Sequence, residues 1–128
     1  MIFAVDFDGT ISKEDNYPGT GDLIPYAKET INKLYDKGHE IIIWTSRDND
    51  TIENVVNFLH KHGIKYHGIN ESSKTLLDKY GNNPRKIGAD CYIDDKTIGM
   101  RKKCGNFNWE KFNKNLDDYI SNYLNEKR

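Results

Sequence analysis

The strongest constraint in this sequence is that its short apolar runs each stop at an acid or a hydroxyl. Ile2–Val5 ends at Asp6, residues 39–44 end at Thr45, and Cys91–Ile93 ends at Asp94. Runs this short, without polar alternation and with β-branched cores such as Ile41-Ile42-Ile43, are what strands buried on both faces require. Between them apolar residues return at helical spacing. Ile24, Ala27, Ile31 and Leu34 predict a helix over 24–37, with Pro25 in its first turn and Gly38 at its C-terminal cap. Asp48 or Asp50 can cap a second helix that runs to His62, where Gly63 closes it. A weaker strand is expected over 65–69, a short helix over 71–80, and a terminal helix over 109–125 that buries Phe112, Leu116, Tyr119, Ile120 and Tyr123.

Strands separated by helices imply an α/β fold, a central parallel sheet with helices on both faces. At 128 residues, against roughly 150 per domain, a single domain over 1–128 is expected. An aromatic fraction of 12 % and a net charge of −1 exclude a disordered chain. Ile41-Ile42-Ile43-Trp44 is the longest apolar run, far below the ~20 residues that span a bilayer, and the N-terminus lacks the basic start of a signal peptide. Cys91 and Cys104 have neither C-x-x-C spacing nor a disulfide framework, and Cys91 reads as a small buried residue. A cytoplasmic protein with no membrane attachment is the expectation. The balanced charge argues against a nucleic-acid partner, since only Arg101-Lys102-Lys103 cluster, in what reads as a solvated loop.

In parallel α/β sheets ligands bind beyond the carboxyl ends of the strands. Here those ends deliver Asp6-Phe7-Asp8-Gly9-Thr10, Thr45-Ser46-Arg47 and Asp94-Asp95, with Arg85-Lys86 shortly before the last strand. Four acids at one edge repel each other unless a cation sits among them, and Mg²⁺ suits an all-oxygen site that must also admit a phosphate. In an extended segment, Asp6 and Asp8 share one side. Phe7 reads as packing, Trp44 as core beneath the site. His39, His60, His62 and His67 lack ligand spacing and read as surface residues.

These motifs, in this order, resemble the haloacid dehalogenase superfamily, in particular its small capless phosphatases. The resemblance covers about residues 2–95. D-x-D-G-T is present at Asp6 to Thr10, the hydroxyl of the second motif is Thr45, and the acidic pair of the fourth is Asp94-Asp95. The basic third motif is met by Lys86, with Arg85 and Lys74 as rivals. What the resemblance implies is a Rossmann-like fold and a Mg²⁺-dependent phosphatase acting on a small phosphorylated substrate through an aspartyl-phosphate. Asp6 would be the nucleophile, Asp8 the acid and base, and Lys86 the charge-neutralising cation. Asp6, the backbone carbonyl of Asp8, Asp94 and Asp95 would bind the metal, Asp95 directly or through water. Thr45, with Ser46 and Arg47 beside it and Gly9 permitting close approach, would hold the phosphate.

Two other readings share these residues. Removal of phosphate from a polynucleotide end suits an open site, against the charge balance. A receiver-like phosphoacceptor module would need the adjacent acidic pair after the first strand, and here that pair comes last. Neither gap between motifs is long enough for a cap domain. The site is therefore expected to be open and tolerant of many monoesters, or covered by a second subunit in a homo-oligomer. Residues 11–22, with Tyr17 and Pro18 at their middle, are best placed to meet either.

Overall fold

The computed structural model describes residues 1–126. In chain order the elements are β1 (Ile2–Val5), α1 (Ala27–Asp36), β2 (Glu40–Ile43), α2 (Asn49–His62), β3 (Gly68–Ile69), α3 (Lys74–Tyr80), β4 (Cys91–Ile93) and α4 (Trp109–Glu126). The strands form one parallel sheet in the order β3-β2-β1-β4.

Alternation along the strands divides the sheet into two unequal faces. Phe3, Val5, Ile41, Ile43 and Ile93 share the main core with Ala27, Ile31 and Leu34 of α1, Val55, Phe58 and Leu59 of α2, and Leu116 of α4. The opposite face is thinner. Ile2 and Ile42 meet Ile87 there, with Trp44, Leu76 of α3 and Ala89 at the margin. Helices thus lie on both faces, as expected, but three of them lie on one.

Element boundaries differ from the periodicity where a backbone group has another partner. α1 begins at Ala27 rather than at 24, because the Ile24 N–H bonds the Ile11 carbonyl at 2.8 Å and Tyr26 takes a left-handed conformation before the helix. β3 is only two residues long, since Lys65 N–H is taken by Asn32 Oδ1 and the His67 ring accepts from Ile41 N–H. α3 starts at Lys74 because Ser73 caps it, accepting from Leu76 N–H. Asp48 takes the N-cap position of α2, and Gly63, at φ 67°, closes it. On α4, Leu116 is buried, whereas Tyr119 is largely exposed. Its hydroxyl donates to the Asp90 carbonyl at 2.7 Å.

Strand register then sets the chemistry. Val5 is level with both Ile43 and Ile93, and Ile43 with Ile69. Asp6, Trp44, Asn70 and Asp94 consequently leave the sheet at one edge. The segment after β1 is tied to the far end of the chain by Trp109, 1 % exposed, whose indole N–H donates to the Thr10 carbonyl at 2.8 Å. Trp109→Phe keeps an aromatic ring but strands that carbonyl and leaves part of the indole's space empty. It should cost about 1–3 kcal/mol in urea-induced unfolding, and an unchanged midpoint and slope would show that this tie carries no stability.

Candidate active site

The turn after β1 is built around one carbonyl. Phe7, fully buried beneath the site, accepts at its main-chain oxygen from the N–H groups of Thr10, Ile11 and Ser12. The chain reverses within four residues and Asp6 and Asp8 both line the cavity at the sheet edge. Gly9 is required twice. Its φ is +85°, and a Cβ there would lie 2.6 Å from Asp95 Oδ2.

Asp6, Asp94 and Asp95 each offer an oxygen within 4.8 Å of the others. The Thr10 hydroxyl donates to Asp6 Oδ2 at 3.0 Å and accepts from the Asp95 N–H at 3.0 Å, joining the first and last strands. Asp94 Oδ1 accepts from Lys96 N–H. Asp95 is 1 % exposed, and its Oδ2 has no hydrogen-bond partner among the described residues; the Lys96 ammonium, 3.6 Å away and on the surface, is only an ion-pair neighbour. A buried carboxylate oxygen left without a donor, beside two further carboxylates, is what a cation site looks like before the cation is counted. An all-oxygen donor set fits a hard divalent ion. Burial first, then the charge of Asp94 and the proximity of Asp95, push the Asp6 carboxyl up to about 8, while the Thr10 hydroxyl pulls it down.

Thr45 and Ser46 follow β2 and line the same cavity, about 460 Å³ in volume. The Thr45 hydroxyl accepts from Arg47 N–H at 3.1 Å, which leaves its own proton available to a substrate oxygen. Asn70 fixes this segment from β3, its Oδ1 accepting from Thr45 N–H at 2.8 Å and its Nδ2 donating to the Arg47 carbonyl. Trp44 is half-buried and lines the cavity instead of lying wholly beneath it.

The remaining expected residues are placed less uniformly. Arg47 is 4 % exposed and its fork is turned to Asp8, Nε to Oδ2 at 2.7 Å and Nη2 to Oδ1 at 2.8 Å. Lys86 does not line the acid cavity. Its ammonium stands 5.2 Å from the ring centre of Tyr92, which packs on Trp44. Arg85 and Lys74 are exposed and likewise do not line it. Lys96 does; it follows the acidic pair directly, but its position in the sequence differs from that of a basic residue before the last strand. Asn70 carries no sequence signal because the strand that delivers it is so short, and Trp109 carries none because it lies beyond the stretch with the motifs. A larger cavity of about 610 Å³, between residues 15–22 and α2, holds no part of the strand-end acid cluster.

The fold and this edge of carboxylates define a hydrolase-type α/β site. The chain belongs to the haloacid dehalogenase-like hydrolases, whose family profile matches residues 3–88. It is also similar to a solved structure described as a conserved protein from Bacteroides thetaiotaomicron, at 32 % identity and a TM-score of 0.69, covering 82 % of this chain and 84 % of that one. No curated protein matches it.

Between the ordinary carboxyl value of 3.8 and about 8, folded Asp6 holds a proton that the unfolded chain has lost. Stability therefore falls as pH rises through that window, and the loss is complete above it. In EDTA, Asp6→Asn should gain on the wild-type chain between about pH 5 and pH 8, by on the order of 3–4 kcal/mol in thermal unfolding. Parallel pH profiles for the two proteins would contradict the crowding of Asp6.

Proposed function

We propose that the protein is a Mg²⁺-dependent phosphatase that hydrolyses small phosphate monoesters through an aspartyl-phosphate on Asp6. The observation that carries this reading is the juxtaposition of Asp6, Asp94 and the unpartnered Asp95 Oδ2 with Asp8 and Thr45 around one cavity. Asp6, Asp94, Asp95 and the Asp8 backbone carbonyl would hold Mg²⁺, which supplies charge neutralisation of the carboxylates and the phosphoryl oxygens. An Asp6 carboxyl near 8 would be mostly protonated at neutral pH and a poor nucleophile, so a cation site beside it is consistent with its task.

In this reading an Asp6 oxygen attacks phosphorus and the P–O bond to the leaving group breaks as the new one forms. Asp8 gives a proton to the departing oxygen and then takes one from the water that releases phosphate from Asp6. The Thr45 hydroxyl donates to a phosphoryl oxygen, with Ser46 at the rim and Gly9 allowing the backbone to approach. Free Cys91 and Cys104 are consistent with a reducing cytoplasm, and no helix among the described residues is long and apolar enough to cross a membrane.

Purified protein should hydrolyse p-nitrophenyl phosphate with Mg²⁺ and stop in excess EDTA. Asp6→Asn should form no phosphoenzyme. Asp8→Asn should still be phosphorylated by this good leaving group but turn over about 10²–10⁴-fold more slowly. Full activity after metal stripping, or near-normal turnover by Asp6→Asn, would refute the assignment.

Two lysines compete for the third-motif role. Lys86 has the position that the resemblance implies, and Lys96 already lines the cavity. Lys96→Ala should lower kcat/KM about tenfold or more, and more than Lys86→Ala does. The reverse order would give the role to Lys86 and require its ammonium to leave Tyr92 when substrate binds.

A further inference from the structure

We propose that Arg47 is a positioning residue that locks the Asp8 carboxylate and the loop at Tyr17–Gly19 into one unit over the active site. The proposal rests on the phosphatase reading above and reassigns Arg47 from the phosphate to the acid that serves the leaving group.

The geometry leaves Arg47 little freedom. Two of its five N–H groups go to the two oxygens of Asp8, at 2.7 and 2.8 Å. Nη1 donates to the Pro18 carbonyl and Nη2 to the Gly19 carbonyl, both at 2.7 Å. Four of the five donors are therefore committed within the protein. The guanidinium carbon lies 5.5 Å from the Phe7 ring centre and 4.9 Å from that of Tyr17, so the group is held between two rings as well as by its hydrogen bonds. Its main chain is anchored too, Arg47 N–H to Thr45 Oγ1 and the Arg47 carbonyl to Asn70. A phosphate could claim this fork only by displacing a bidentate carboxylate pair in a nearly dry setting.

Such a clamp does two things at once. It fixes both oxygens of Asp8, so that the carboxyl, once protonated on a lone pair that the guanidinium leaves free, meets the leaving-group oxygen in one orientation. It also draws residues 17–19 down beside the acids, placing the Tyr17 ring, 67 % exposed, on the cavity wall. The loop takes the place that a cap domain fills elsewhere, and it is held by the same side chain that aims the acid.

A residue that aims Asp8 should matter in proportion to how much the leaving group needs a proton. In Arg47→Gln, and in Arg47→Lys as the conservative variant, kcat on an alkyl monoester such as glycerol phosphate should fall about 10²-fold. The pre-steady-state burst of p-nitrophenol from p-nitrophenyl phosphate should slow by less than about fivefold, because that group departs unaided, whereas steady-state turnover falls with the base role of Asp8. The inhibition constant of inorganic phosphate should stay within about twofold. Placed on an Asp8→Asn background, Arg47→Gln should add almost nothing. Amide hydrogen exchange over residues 13–20 should quicken in both Arg47 variants, a readout that needs no turnover and that Arg47→Lys keeps accessible if Arg47→Gln folds poorly. A p-nitrophenol burst slowed as much as alkyl-ester turnover, with weakened phosphate inhibition, would overturn the proposal and make Arg47 a phosphate ligand. Additive losses with Asp8→Asn, or unchanged exchange in the loop, would also overturn it. A wild-type chain that hydrolyses neither ester defeats the phosphatase reading itself, and this proposal with it.

Discussion

Repulsion among carboxylates gathered at one edge of a parallel sheet is the constraint on which the rest of this structure depends. Asp6, Asp8, Asp94 and Asp95 come from two adjacent strands, and β1 and β4 are in register, so the acids cannot avoid each other. The protein answers the two halves of the problem differently. Asp8 is neutralised from within by Arg47. Asp6, Asp94 and Asp95 are given one hydroxyl, one backbone donor and a loosely placed lysine, which is too little for three charges. The imbalance shows as a carboxyl pushed up to about 8 and an oxygen with no donor. Strongly perturbed carboxyls of this kind gather at functional sites, and a bound cation would relieve this cluster.

The scaffold around the acids is correspondingly over-determined. The Phe7 carbonyl takes three N–H groups to make the turn, Gly9 leaves room for Asp95, and Trp109 reaches back from α4 to hold Thr10. Thr10 in turn bridges Asp6 and the Asp95 backbone, so the proposed nucleophile is referenced both to its own strand and to β4. The proposed phosphoryl transfer would need that rigidity, because the groups must not relax as charge develops on the phosphoryl oxygens. On the thin second face of the sheet, the Tyr92 hydroxyl donates to the Ile87 carbonyl at 2.6 Å, and Lys86 lies over the Tyr92 ring.

Much of this was legible in the residues. Four apolar runs, three of them strong, located the strands, and because parallel ligand sites lie beyond strand ends, the motifs Asp6 to Thr10, Thr45 and Asp94-Asp95 pointed to one place. Helix ends were readable where a local cap decides them, as at Gly63. They were not readable where a distant group does, as at Ile24, whose N–H serves the loop carbonyl of Ile11. The same distinction governs the site. Residues whose role is intrinsic to their type and spacing stood out. Asn70, Trp109 and the Arg47–Asp8 pair did not, because each contributes by meeting a partner from 23 to 99 positions away. Spacing along a chain carries no information about such meetings.

The central claim is that the three crowded carboxylates form a cation site whose occupation displaces a proton from Asp6. Calorimetric titration of Mg²⁺ at pH 7, in two buffers of different ionisation enthalpy, measures ion stoichiometry and proton release together. The account predicts saturable binding of about one ion per chain with release of close to one proton, and loss of that release in Asp6→Asn. No saturable binding, or binding with proton release undiminished by Asp6→Asn, would contradict it.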